Sequence, residues 1–321
     1  MADDTVALTT ARRAGAGAGT PAPAPAPGRP RKRWTRLNWI GLGFAMPAIA
    51  YIGIFSIIPV VYGLVLSFTS YSPLSRSGPV FNGVSNYAHI FEDGDFWKSL
   101  WVTARYVLQV LPPTVVIALL LAVLVSRPFR GVGFVRSALY IPQIVSLTAV
   151  SMIWLWLYSQ NGFVNEVLNA VGLSDQHWLI SQSAALNAAS VMRIWKALGS
   201  NMVLLMAGMQ SIPKDLYEAA RVDGANGWQQ FRHVTLPGLR SMLVYVVAMD
   251  IIFLAQGFAE IYVLTQGGPL GSTTTANYLI YQQAFQYNQL GSASSMAFVL
   301  FALIAGVSLL SMRGMLGRRS S

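Results

Sequence analysis

The chain has 321 residues, of which 54% are hydrophobic and only 11% charged, and the apolar residues are gathered in long runs. Soluble domains carry about 25% charged residues, so a soluble globular chain is excluded, as are whole-chain disorder, collagen and a disulfide-stapled secreted fold; an integral membrane protein remains. The net charge of +10 lies in short clusters between hydrophobic runs, which is how membrane topology distributes it and not how a nucleic-acid-binding face is built.

Residues 1–36 read as a basic, Ala/Pro-rich tail without a core to bury. Pro21, Pro23, Pro25 and Pro27 alternate with Ala, a pattern that favours an extended polyproline-II spacer. The tail ends in Arg29, Arg31, Lys32, Arg33 and Arg36, against the first hydrophobic run. Two readings stay open: an anchor on anionic lipid, at about 1 kcal/mol per charge near the surface, or a plain topology signal. The run that follows, and the tail itself, are too long for a cleaved signal peptide.

A membrane-spanning helix needs about 20 apolar residues, and six stretches qualify, near 39–69, 101–125, 137–158, 184–210, 239–265 and 291–312. Helix is required, because an open strand would leave amide groups unpaired in lipid. The expected fold is therefore an all-α integral membrane domain over 37–313, followed by a short tail at 314–321. Seventeen of the 22 Lys and Arg fall in the tail, in 126–136, in 211–240 and at the C-terminus, whereas the intervening loops hold only Arg76 and Lys98. Basic residues mark the cytoplasmic side, so both termini are expected there.

The segment 211–237, between the fourth and fifth stretches, reads as two short helices around a turn. Ser211 can cap, Pro213 suits a first turn, and Asp215 faces the positive end of the helix. Leu216, Ala219 and Ala220 share one face, Asp223-Gly224 and Asn226-Gly227 break the chain, Trp228 and Phe231 recur three residues apart, and Pro237 is expected to stop the second helix. A segment with apolar residues and no core of its own is either a docking element or a helix lying on headgroups.

Several chemistries have no residues to carry them. There is no Cys, the three His (His89, His177, His233) form no HExxH pair, no nucleophile–base pair stands out, and no GxxxxGK[ST] loop occurs. If ATP drives this protein, another chain binds it.

The loop resembles the EAA motif of ABC-importer permeases: Glu-Ala-Ala, three residues, Gly, nine residues, Ile, any residue, Leu-Pro. Here it is Glu218-Ala219-Ala220, Gly224, then Val234 in place of Ile, Leu236 and Pro237; a second Pro frequent in relatives is Ser241 in this chain. Asn86-Tyr87 with Phe96-Trp97-Lys98-Ser99-Leu100, and Ile261 through Pro269, resemble further stretches of carbohydrate-type permeases, in the maltose- and glycerol-phosphate-type branch. The resemblance covers most of 40–312.

That resemblance implies a type I importer architecture in a bacterial cell membrane. A second homologous permease subunit would complete the pathway, two ATPase subunits would carry ATP and Mg2+, and an extracytoplasmic solute-binding protein would deliver a sugar-like substrate. No cofactor belongs to this chain, and it is not an enzyme. Coupling to the ATPase would fall to Glu218, Ala219, Ala220, Asp223, Gly224, Leu236 and Pro237, with Glu218 pairing with a basic residue of the ATPase and Gly224 permitting the turn. An ion-gradient-driven secondary transporter is the alternative, and it would need acidic residues in mid-membrane.

Arg193, Lys196 and Asp250 lie about a dozen residues into their spans, near mid-bilayer at 1.5 Å per residue. Each costs roughly 2.5–3.5 kcal/mol there on insertion scales. They either line a hydrated pathway touched by substrate or pair between spans four and five or with a partner. Gln256 and Glu260, one turn apart on one helical face, are candidates for sugar hydroxyls, although relatives often carry Asp at the position of Ala259. Trp195, with Trp154 and Trp156, stacks on a pyranose ring or anchors at an interface.

Overall fold

The computed structural model describes residues 36–76 and 78–316. Apart from Arg36, the expected N-terminal tail lies outside the described residues, as do 317–321. The chain divides into two units, residues 1–55 and 56–321. In the first, helix α1 (Arg36–Ile52) contains Pro47, and the rings of Tyr51 and Phe55 are 5.0 Å apart.

In the second unit, α2 (Ile58–Ser67) leads into a small antiparallel ribbon, β1 (Thr69–Ser70) and β2 (Val80–Phe81), with Thr69 opposite Phe81. Asn86, on α3 (Ser85–Glu92), fixes this corner by donating to the carbonyls of Ser67 and Thr69, both at 2.9 Å. Asp93 then opens α4 (Gly94–Ser126) by accepting the Asp95 N–H at 2.8 Å, an N-cap that satisfies a donor the helix cannot pair itself. There follow α5 (Val132–Ile144), α6 (Leu147–Leu157), α7 (Phe163–Ala170), α8 (Ala185–Gln210), α9 (Lys214–Val222) and α10 (Gly227–Gln230). A π-helical turn over Phe231–Thr235 continues into α11 (Leu236–Gly238), and α12 (Arg240–Ala255), α13 (Ala259–Leu264), α14 (Ala276–Tyr281) and α15 (Leu290–Leu316) complete the chain.

Three helical stretches, Gly43–Ser67, Gly94–Ser126 and Leu290–Ser311, are long and apolar enough to cross a membrane. Two more reach that only as bent pairs: α5 with α6, which meet at 99°, and Gly227–Gly238 with α12, which meet at 64°. The 26-residue α8 coincides with the expected stretch 184–210, but Asn187, Arg193, Lys196 and Asn201 dilute its hydropathy.

Two of the expected crossings are interrupted, the first just after Pro142, one of the prolines that the sequence places within a span, where it can kink or break a helix. In 137–158, Pro142 lacks an N–H and its ring crowds the carbonyl four residues back. Val145 and Ser146 leave the helix in extended conformation, and the Ser146 hydroxyl recaps the chain by accepting from Ala149 N–H at 3.2 Å. In 239–265 the helix ends at Ala255, and a new one starts at Ala259.

The core sits between α4 and α8. Tyr106, Val110, Leu186, Met192, Ile261 and Tyr278 anchor one cluster; Ala118, Ala122, Val125, Met202, Leu205 and Val246 anchor a second. On α4 the buried Ala118 and Ala122 face α8, while Val116, Leu120 and Leu124 are exposed. That inversion suits lipid, where helices associate through small residues and expose large apolar ones. A very close approach occurs at Gly199, where a Cβ would lie 2.1 Å from the Leu139 carbonyl oxygen, so α5 and α8 can touch backbone to backbone only with glycine there.

Candidate functional sites: a polar cleft and an exposed helical loop

Residues at i, i+3, i+7 and i+8 lie on one side of a helix, and on α8 those positions are Arg193, Lys196, Ser200 and Asn201. Opposite them α12 presents Tyr245, Met249, Asp250 and Phe253, and together they enclose a cleft of about 210 Å³ with Gln143 of α5 at its edge. Three of the expected mid-membrane residues, Arg193, Lys196 and Asp250, thus meet in one place.

Each charge has its own arrangement. Lys196 is buried and donates its ammonium to the carbonyls of Pro142 at 2.9 Å and Val145 at 2.7 Å. The bend after α5 frees those carbonyls, and three ammonium protons at a helix C-terminus are a suitable cap. Asp250 accepts from the Asn201 amide at 2.7 Å. Arg193 stands 4.0 Å from Glu260, whose other contact is a 2.8 Å hydrogen bond donated by the Tyr106 hydroxyl. Glu260 Oε2 and Arg193 Nε are buried without a hydrogen-bond partner. The ion pair between these helical stretches therefore uses Glu260, and Asp250 is held by an amide.

Gln256 and Glu260 do not share a face, because the helix breaks between them. Gln256 is the exposed C-cap of α12, its carbonyl bonded by the Asn277 amide at 2.9 Å, whereas Glu260 is fully buried in the first turn of α13. Trp195 is outside the cleft lining; its ring lies 5.6 Å from that of Trp154, which in turn packs against Tyr158 at 5.1 Å. Tyr106 and Asn201 were not singled out from the sequence. Asn201 was findable, being eight residues from Arg193, whereas nothing in the apolar run of α4 distinguishes Tyr106.

The loop between α8 and α12 is built differently. None of the residues of α9 is buried, Glu218 and Ala219 are exposed, and Leu216 is 51% exposed. Its C-terminus closes with Gly224 at φ +78°, the Ala225 N–H reaching the Ala220 carbonyl at 2.8 Å and Gly224 N–H that of Arg221 at 3.1 Å, a left-handed cap that glycine adopts without strain. Asp223 is the exposed C-cap residue. Asn226 and Gln229 then form a reciprocal capping box at 2.9 and 2.8 Å that starts α10.

Two expectations for the loop are corrected. Ser211 does not cap α9; it ends α8, its hydroxyl donating to the Gly208 carbonyl at 2.7 Å. Pro237 does not stop the second helix, which continues to Gly238 before the 64° bend. The π turn accommodates the proline. Leu236 N–H reaches back to the Phe231 carbonyl, a wider register that relieves the clash a proline imposes on a regular turn.

Two contacts fix the first arm of the loop to the second, which runs on to α12. Tyr217 on α9 shares a 3.0 Å hydrogen bond with the buried Thr235. The buried Ile212 fills the space beside Gly238, where a Cβ would meet it at 2.7 Å. At the other end of the molecule, Lys98 donates to the Leu270 carbonyl at 3.0 Å, joining the stretch around Phe96-Trp97-Lys98 to the loop that follows α13.

A polar cleft between broken, lipid-facing helices, with an exposed two-helix loop fixed to one of them, defines a multi-pass membrane transport component. Residues 94–321 match the family described as binding-protein-dependent transport system inner membrane component, and the chain belongs to that family. It is 35% identical over 279 residues to the sulfoquinovosyl glycerol transport system permease protein SmoG of Agrobacterium fabrum, covering 84% of this chain and 90% of that protein. It is 32% identical over 275 residues to the arabinooligosaccharides transport system permease protein AraP of Bacillus subtilis, covering 84% and 86%. Its fold matches a chain in the crystal structure of a bacterial ABC transporter involved in the import of the acidic polysaccharide alginate, with a TM-score of 0.77, 22% identity, and coverage of 89% of this chain and 98% of that one.

Proposed function

We propose that this chain is the permease subunit of an ATP-driven importer for a carbohydrate or related polyol, with six crossings and both termini in the cytoplasm. It forms half of the pathway with a second homologous permease. Two ATPase subunits hold ATP and Mg2+, each gripping one EAA loop, and an extracytoplasmic binding protein hands over the solute. The names of the permease relatives support the substrate class, and the family supports the dependence on a binding protein.

The observation that carries the coupling role is α9, a helix at the EAA spacing with none of its residues buried in its own chain. Small side chains at Ala219 and Ala220 let a partner backbone approach, Glu218 offers it a charge, and Asp223-Gly224 sets the turn. A displacement of α9 passes through the Tyr217–Thr235 hydrogen bond to the helix containing Leu236 and Pro237, then across the bend into α12. Asp250 of α12 faces Arg193 and Lys196 of α8 across the cleft, so movement of α12 widens or narrows the polar space through which solute passes. Gln256, Glu260 and Trp195 are not in the lining of that cleft, and Glu260 bears on it through its ion pair with Arg193.

The test is capture and transport. The tagged chain, purified from cells expressing its transport system, is expected to bring down an ATPase, and Ala219→Trp is expected to abolish that capture while leaving the chain in the membrane. Solute uptake by the purified chain alone, driven by an ion gradient without ATP, would overturn the proposal in favour of a secondary transporter.

A further inference from the structure

Where α4 ends, its outer surface and the second arm of the loop enclose two adjoining clefts, of about 430 and 300 Å³, which share Val123, Arg127, Gly227 and Phe231. The larger is apolar, bounded also by Leu120, Leu124 and Trp228, all three more than half exposed. The smaller brings in Ser126, Gln210, Gln230 and Thr235. Arg127, the C-cap of α4, stands between the two, exposed and in no ion pair among the described residues. Neither cleft is lined by an Asp or Glu.

Along the eight residues from Leu120 to Arg127, about 10 Å of helix, the surface passes from branched alkyl groups through stacked aromatic rings (Trp228 and Phe231, centroids 5.5 Å apart) to a cation. A phospholipid presents the complementary sequence: acyl chain, glycerol backbone, phosphate. Leu120 and Leu124 lie within a stretch apolar enough to cross the bilayer, a depth a soluble subunit does not reach. Trp suits the headgroup level, and an unpaired Arg at that level favours an anionic headgroup.

We propose that this groove binds one anionic phospholipid, with its phosphate on Arg127 and an acyl chain along Leu120 and Leu124. The lipid braces the segment from Gly227 to Phe231 against α4, so bilayer composition bears on how firmly the loop is held. The inference goes beyond the import reading and requires only that α4 spans the membrane.

Native mass spectrometry of the full-length chain tests it, with release from micelles containing phosphatidylglycerol and phosphatidylcholine in equal amounts. The natural chain is expected to retain phosphatidylglycerol preferentially. Arg127→Gln is expected to lower that preference about fivefold, the effect of one basic residue at an anionic surface, and Arg127→Lys to preserve it. Leu124→Trp, which fills the apolar cleft, is expected to reduce retention of both lipids. Equal retention by the natural chain, an unchanged ratio in Arg127→Gln, or full retention in Leu124→Trp would each overturn the proposal. None of these readouts involves an ATPase, so failure here is separable from failure of the coupling role.

Discussion

Arg193 Nε lies 4.0 Å from Glu260 Oε1, and this is the one ion pair among the described residues. It joins α8 to the short helix beyond the break in the fifth stretch, and Tyr106 of α4 donates to the same carboxylate oxygen. Three helices therefore converge on one buried carboxylate. Removing one partner of a buried pair leaves the other charge uncompensated, a loss of about 3–5 kcal/mol. Arg193→Ala is expected to lower stability on that scale. Glu260→Gln keeps an acceptor for Tyr106 and is expected to cost less than Glu260→Ala. Thermal unfolding in detergent, read by tryptophan fluorescence, checks the order.

Lys196→Met retains the length of the side chain and removes its three donors. The carbonyls of Pro142 and Val145 then lose their partner at the 99° bend. With hydrogen bonds to charged groups contributing about 1.5–3 kcal/mol each, a loss of about 3 kcal/mol or more is expected. Faster hydrogen exchange is expected at the α5–α6 junction, with little change at α14. Uniform exchange throughout would show that Lys196 does not act as the cap of that bend.

Gly224→Val places a β-branched residue at φ +78°. The strain is about 1–2 kcal/mol and local, because nothing lies within 4 Å of the added Cβ. The chain is expected to fold and reach the membrane while capture of the ATPase falls at least tenfold. Loss of the protein from the membrane would place the defect in folding and not in coupling.

Asn201→Leu takes away the amide that holds Asp250 at 2.7 Å, while Lys196 remains committed to carbonyls. An unpaired carboxylate facing an apolar side chain is expected to lower stability by about 1–3 kcal/mol. Asn201→Asp, which sets two carboxylates together, is expected to be worse at neutral pH. The same unfolding measurement compares them.

Much of this architecture was legible from composition and spacing. The hydrophobic runs located the long helices, because lipid demands length and apolarity together, and the periodicity of α9 and the glycine at 224 located the loop and its turn. The breaks were less legible. Pro142 marked a weakness but not a 99° bend, which depends on Lys196, distant in sequence, to satisfy the freed carbonyls. The separation of Gln256 from Glu260 was hidden because Ala255 through Ala259 contains no proline and reads as continuous helix. Glu260 as the partner of Arg193 could not be read either, since the sequence orders residues along spans and does not say which faces meet.

The contact at Gly199 has a mechanical meaning. With the Leu139 carbonyl against the α-carbon and Lys196 bonded across the same seam, α5 and α8 have no room to slide or rotate past one another. They are expected to move together, with compliance found where backbone is not locked to backbone, at the elbow around Leu239.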